Sequence, residues 1–349
     1  MTDATAASSS STRRPRVVTL GETMGLLSNT QPGPLAHAST MQLGIGGSES
    51  NVAIGLSRLG VDVIWFGRVG DDSVGRLVAR EIRAEGVDAR VTIDDGAATG
   101  LMIKERRTST SQSVTYYRAG SAGSRLSADD LDEAAIASAD VLHVTGITPA
   151  LSDSAAQAVR RAADVAREAG VLVSFDVNYR RALWSTDDAA TFCREFAAGC
   201  DVLFAGEDEA AMLLGPAASA SLSTDAAAGS PSDAAADAAA ARAVLARGLA
   251  ELGPRQAVVK CGADGAVAMI DGQLVTQEAV SIVAHDTVGA GDAFVAGYLA
   301  ELAAENDAPT RLQTAATVGA FACLAAGDWE GLPRRSELGL LHAREAVTR

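Results

Sequence analysis

Along this chain, short runs of β-branched and aliphatic residues alternate with stretches in which apolar side chains recur every three or four positions. Arg16 to Gly21, Val61 to Val69, Val141 to Thr145, Val171 to Val177, Val202 to Ala205 and Ala257 to Lys260 predict strands. Between them Asn51 to Leu59, Val74 to Glu85, Ala155 to Ala169 and Ala241 to Leu252 predict helices. Such alternation implies an α/β fold, a parallel sheet with helices on both faces. Two segments, about 23–45 and 98–118, break the rhythm. In the second, Leu101-Met102-Ile103 and Val114-Thr115-Tyr116-Tyr117 read as a hairpin with a polar tip at Arg106 to Ser113. Short antiparallel strands inserted into a parallel fold suggest a lid.

Residues 216–240 are nearly all Ala, Ser, Asp, Gly and Thr with two prolines. They offer too little apolar surface to offset the entropy of ordering, so a disordered insertion in a surface loop is expected. Residues 1–15 lack an apolar signal region, and no later stretch approaches an uncharged apolar 18-mer. A flexible tail on a cytoplasmic protein, without a membrane partner, is the expectation.

With 349 residues, 48% hydrophobic and 21% charged, the chain can bury one large α/β core or two smaller ones. Its net charge of −15 opposes a sustained basic surface, and no run of Lys and Arg is interleaved with aromatics, so nucleic acid is not an expected partner. An acidic protein that handles anions must gather its cations at one place, which makes single arginines worth locating. The four cysteines form no C-x-x-C pair and the four histidines fall singly, so no structural zinc site is readable and the thiols read as reduced core residues.

Chemistry concentrates in Asp286-Thr287-Val288-Gly289-Ala290-Gly291-Asp292, which runs into the apolar stretch Ala293 to Leu302. Gly289, Ala290 and Gly291 let a loop approach a ligand closely, and the helix behind them points unpaired N–H groups and the positive end of its dipole there. Asp292 adds a carboxylate able to take a proton from an attacking hydroxyl. Earlier in the chain, a first glycine loop, Gly44-Ile45-Gly46-Gly47-Ser48-Glu49-Ser50-Asn51, opens a helix. N–H groups around Gly46 and Gly47, with the Asn51 amide, could bind sugar hydroxyls; a tight turn before a Ser-capped helix is the simpler reading. The P-loop, the dinucleotide G-x-G-x-x-G, the protein-kinase motifs and the G-x-S-x-G elbow are all absent.

GGSESNVAIGLSRLG and DTVGAGDAFVAGYL resemble, in order and spacing, the two signature segments of the ribokinase-like carbohydrate kinases, the PfkB family. Within it, Tyr116-Tyr117-Arg118-Ala119-Gly120-Ser121, Leu142 to Leu151 and Asp176-Val177-Asn178-Tyr179-Arg180 with Leu183-Trp184 are similar to 2-keto-3-deoxygluconate kinases. The likeness covers roughly residues 16–345 apart from the insertion, and implies a three-layer α/β/α kinase domain with a mostly parallel sheet and a small β lid. It also implies ATP-dependent phosphorylation of a sugar acid at its C6 hydroxyl, with Mg2+ bridging the ATP phosphates. A guanidinium is well shaped to hold a carboxylate, and Arg118 and Arg180 are the candidates.

By the same resemblance Lys260, Gly262 and Gly265 form a nucleotide-accommodating turn, and the helix from Ala315 to Ala326 walls the adenosine site with Asp328 near the substrate. Met102, Tyr116 and Asn178 fall at substrate-contact positions. Where many members have Asn-x-x-Glu near magnesium, this chain reads Gly206-Glu207-Asp208-Glu209, keeping only Glu209. Met102 leaves the gluconate and galactonate epimers undistinguished, and monovalent-cation dependence stays open. A neutral-sugar (ribose or fructose) kinase and a non-catalytic sugar-acid sensor are the rival readings. A lid sheet with free edges suggests a homo-oligomer.

Overall fold

The computed structural model describes residues 13–108, 111–216, 218 and 231–342. Its strands are β1 Arg16–Leu20, β2 Met24–Asn29, β3 Met41–Gly46, β4 Asp62–Gly70, β5 Asp88–Asp94, β6 Leu101–Arg106, β7 Gln112–Tyr117, β8 Val141–Thr145, β9 Leu172–Asp176, β10 Val202–Gly206, β11 Gln256–Lys260, β12 Ala266–Ile270 and β13 Gln273–Gln277. Nine form one sheet in the order β13-β12-β11-β10-β9-β8-β1-β4-β5. It is parallel from β11 to β5 and antiparallel at β11/β12 and β12/β13.

Both faces are apolar, because successive strand residues point to opposite sides. In β10, Val202 and Phe204 join one core while Leu203 and Ala205 join the other. The first core packs against helices Ser48–Arg58, Ser73–Ala84, Ala290–Ala303 and Ala308–Ala322, and the second against Asp153–Glu168, Thr186–Ala197, Glu207–Leu214 and Pro231–Glu251. The chain runs outward from β1 to β4 and β5, then returns to place β8 on the opposite flank of β1. Loops leaving the carboxyl ends of β1 and β8 therefore diverge, and a crevice opens where ligands of doubly wound sheets bind.

All six predicted strands are present, as β1, β4, β8, β9, β10 and β11. Three more were not predicted. The β12/β13 hairpin turns at Asp271 and Gly272, with φ of 48° and 82°, an Asp-Gly signal legible in the sequence. The predicted hairpin is β6/β7, and β2 and β3 extend it into a four-stranded sheet ordered β3-β2-β6-β7. The expected disorder of 216–240 is corrected in its second half: Pro231–Glu251 is one helix, begun ten residues before the predicted start. Alanine, the strongest helix former, extends the helix, and Leu245, Ala246 and Leu249 anchor it in the core. Residues 217 and 219–230 and the tail 1–12 lie outside the described residues. Among the described residues no helix is long and apolar enough to cross a membrane.

Candidate active site

Asp292 lies in the first turn of helix Ala290–Ala303, whose sequence is apolar on all sides, so the helix is buried and holds the carboxylate rigidly. Before it, Gly289 has φ 78°, and a Cβ there would stand 2.0 Å from the Asp328 carbonyl oxygen. Only glycine tolerates both the turn and the approach. Asp292 Oδ1 accepts from the Ser48 hydroxyl at 2.6 Å, and Oδ2 accepts from Asn51 Nδ2 at 2.8 Å. Asn178 Nδ2 donates to Ser48 Oγ at 2.7 Å and reaches Asp292 Oδ1 at 3.4 Å. Asn178 has φ 39°, a left-handed conformation that asparagine adopts more readily than most residues, and it turns the chain after β9 into the crevice. Both glycine loops and the loop after β9 thus meet at one carboxylate.

The next group lies between the first glycine loop and the small sheet. A Cβ on Gly46 would sit 2.3 Å from Met102 Cε and 2.4 Å from Asp328 Oδ2, so these three predicted residues converge. Gly47 is as closely packed, against the Glu22 carbonyl and Thr23. Burial pushes the Asp328 carboxyl up to about 6, although Lys104 pulls it down. Lys104 Nζ is 2.6 Å from Asp286 Oδ2 and 3.4 Å from Asp328 Oδ1.

Tyr116 is cross-strand partner to Met102 and lies 5.7 Å from the Arg118 guanidinium. Arg118 is buried, its Nε 2.7 Å and its Nη2 2.5 Å from Glu22 Oε2, while Ser121 donates to the other Glu22 oxygen. Arg180 is exposed, one residue past Tyr179. The two candidate arginines thus differ in state: one is held by an acid, the other faces solvent. Below the first loop, Glu49 is fully buried and accepts from Thr145 and Thr148 hydroxyls at 2.7 and 2.6 Å; burial pushes its carboxyl up to about 6.

On the side expected to take the nucleotide, Lys260 ends β11 and Nζ lies across both oxygens of Asp176, at 2.7 and 2.8 Å. Burial opposes its charge, but Asp176, Glu209 and Asp292 outweigh it and raise the lysine. A Cβ on Gly291 would meet Lys260 Nζ at 3.6 Å, which puts this cation beside the Asp286 to Gly291 loop, the expected anion loop. The turn through Gly262 and Gly265 connects β11 to β12. The adjoining helix is Ala308–Ala322, four residues shorter at its end than expected, with Cys323 as its cap. Glu209 accepts the N–H of Tyr179 and of Gly206 at 2.7 Å each, one on each oxygen. Both carboxylate oxygens of Glu209 are thus held by backbone donors. Among the described residues no three His, Cys, Asp or Glu side chains are arranged to hold a metal ion.

Sequence reasoning missed Ser48, Lys104, Glu22 and Asp176. Ser48 stood inside the quoted glycine loop, whereas Lys104 carried no local signal, because only the fold brings β6 against the anion loop.

A family model described as pfkB family carbohydrate kinase matches residues 14–335. A 2-dehydro-3-deoxygluconokinase of Thermoproteus tenax is 36% identical over 327 residues, 92% of each chain. A 2-dehydro-3-deoxygalactonokinase of Haloferax volcanii is 33% identical over 314 residues, 89% of this chain and 92% of that one. Among solved structures, a 2-dehydro-3-deoxygluconokinase from Thermotoga maritima superposes with a TM-score of 0.80 at 25% identity, covering 95% of this chain and 100% of the other. The predicted ribokinase-like α/β/α core with a small β sheet is the fold observed. The match of the family model over residues 14–335 and the 36% identity to a relative over 92% of both chains show that the chain belongs to the pfkB family of carbohydrate kinases.

Proposed function

We propose that this carbohydrate kinase transfers the γ-phosphoryl group of ATP to the C6 hydroxyl of 2-keto-3-deoxygluconate, giving the 6-phosphate, in cytoplasmic sugar-acid catabolism. The observation that carries the reading is Asp292, whose carboxylate joins the first glycine loop to the helix terminus behind Gly289. There it accepts the hydroxyl proton as oxygen attacks phosphorus, while Gly289, Ala290, Gly291 and the helix dipole stabilise the charge on the transferred group. Lys260 adds positive charge on the same side. Glu209 would help hold magnesium through bound water, and the ion would supply positive charge to the ATP phosphates.

The sugar assignment draws on several side chains. Asn51 Oδ1 is buried without a hydrogen-bond partner, an acceptor suited to a ligand hydroxyl. Glu22 takes the Nε–Nη2 edge of Arg118, leaving Nη1 for the substrate carboxylate, with Tyr116 alongside and Arg180 arriving as the small sheet closes. Met102, Asn178 and Asp328 complete the sugar wall. Pairing of two copies through the small sheet, where Leu43 and Tyr117 are exposed, belongs to the same reading. Phosphorus–proton correlation spectra of the product test it: phosphate coupled to the C6 protons is expected, and phosphate on another carbon refutes the site of transfer.

A further inference from the structure

Lys104 belongs to the small sheet, yet its side chain is only 4% exposed and its ammonium is shared between carboxylates from two separate loops. A lysine so buried must have its charge answered. Asp286, which answers most of it, is a junction. Its Oδ1 accepts from Gln112 Nε2 at 2.6 Å and from the Val288 N–H at 3.0 Å, and its Oδ2 also accepts the Gly327 N–H at 3.3 Å. One carboxylate therefore ties β6, β7, the anion loop and the 327–328 turn together. Asp328 stands at the other end, its side chain against Gly46 and its carbonyl against Gly289.

We propose that Lys104 is a positioning residue that couples occupancy of the sugar site to the geometry of the phosphate loop. The inference rests on reading Asp328 as a sugar contact. A ligand hydroxyl that donates to Asp328 competes with the ammonium for that carboxylate, and Lys104 then shifts toward Asp286, whose grip on the Val288 N–H sets the approach to Gly289. Sugar binding tightens the loop for ATP, and by reciprocity ATP tightens the site for sugar.

Two measurements on the full chain, with Lys104→Met and Lys104→Arg beside the unaltered protein, test this. In amide exchange of the free proteins, Lys104→Met should speed Val288 and Gly327 by about 10-fold or more, leave helix Asp153–Glu168 unchanged, and be largely rescued by arginine. In calorimetry, a non-hydrolysable ATP analogue should bind the unaltered protein about 5- to 150-fold tighter with 2-keto-3-deoxygluconate present, and Lys104→Met should abolish most of that gain. Unchanged exchange at Val288 and Gly327, a uniform rise across the chain, or full coupling in Lys104→Met each overturns the proposal. Failure of the sugar acid to bind the unaltered protein removes the substrate assignment instead, and the exchange result then decides the hold of Lys104 on the loop.

Discussion

Ser48 Oγ lies 2.6 Å from Asp292 Oδ1 and accepts from Asn178 Nδ2 at 2.7 Å, so a single hydroxyl joins three loops at the candidate base. The serine orients the carboxylate. Asp292→Asn removes the proton acceptor, and kcat is expected to fall at least ~10²-fold with little change in KM. Ser48→Ala leaves the carboxylate and should cost less than ~10-fold. Steady-state kinetics on both variants check this; equal losses would mean that Asp292 acts only as a structural hydrogen-bond partner.

Gly289 sits in the left-handed region with the Asp328 carbonyl where a Cβ would be. Gly289→Ala therefore combines strain of about 1–3 kcal/mol with displacement of the Asp328 turn. Loss of at least ~10²-fold in kcat/KM is expected, because a shift of about 1 Å in a reacting constellation has effects of that size. Kinetics and a melting curve measure both consequences, and a variant with normal kcat/KM would remove the loop from phosphoryl stabilisation.

Arg118 is bound to Glu22 through two nitrogens, so deleting it would strand a buried carboxylate and confuse binding with stability. Arg118→Lys keeps the charge but not the fork. Sugar-acid KM should rise about 10- to 100-fold, the equivalent of one hydrogen bond to a charged group, while Tm changes little. An unaltered KM would return Arg118 to a purely structural role.

Glu49 offers a pH test. Its carboxyl is raised from 4.5 to about 6 by burial, so the folded protein holds this proton more tightly than the unfolded chain. The stability it contributes is fully present below about 4.5 and is lost as pH rises through about 6. Glu49→Gln stays neutral and keeps an acceptor for Thr145 and Thr148. Its stability relative to the parent should grow by on the order of 2 kcal/mol between those limits, read from denaturant unfolding across pH. A difference independent of pH would contradict the assignment.

Periodicity made the central strands legible because their cores demand alternating apolar faces, as Leu203 and Phe204 show. The edge strand β5, Asp88–Asp94, mixes charged and apolar residues and carries a weaker pattern. Helix Pro231–Glu251 was obscured by alanine, which serves a helix and a low-complexity loop equally well in composition. At the site, Asp292 and its glycines were readable because loop and base are contiguous in sequence. Lys104 and Glu22 were not, since each acts on a partner that only the sheet order brings near.

The most direct measurement is ADP release with Mg-ATP across 2-keto-3-deoxygluconate, its galactonate epimer, gluconate, ribose and fructose, beside Asp292→Asn. Turnover confined to the keto-deoxy acids and lost in the variant is the predicted result. Turnover on ribose or fructose but not on the keto-deoxy acids, or sugar-acid binding without ADP release, would contradict the sugar-acid kinase account.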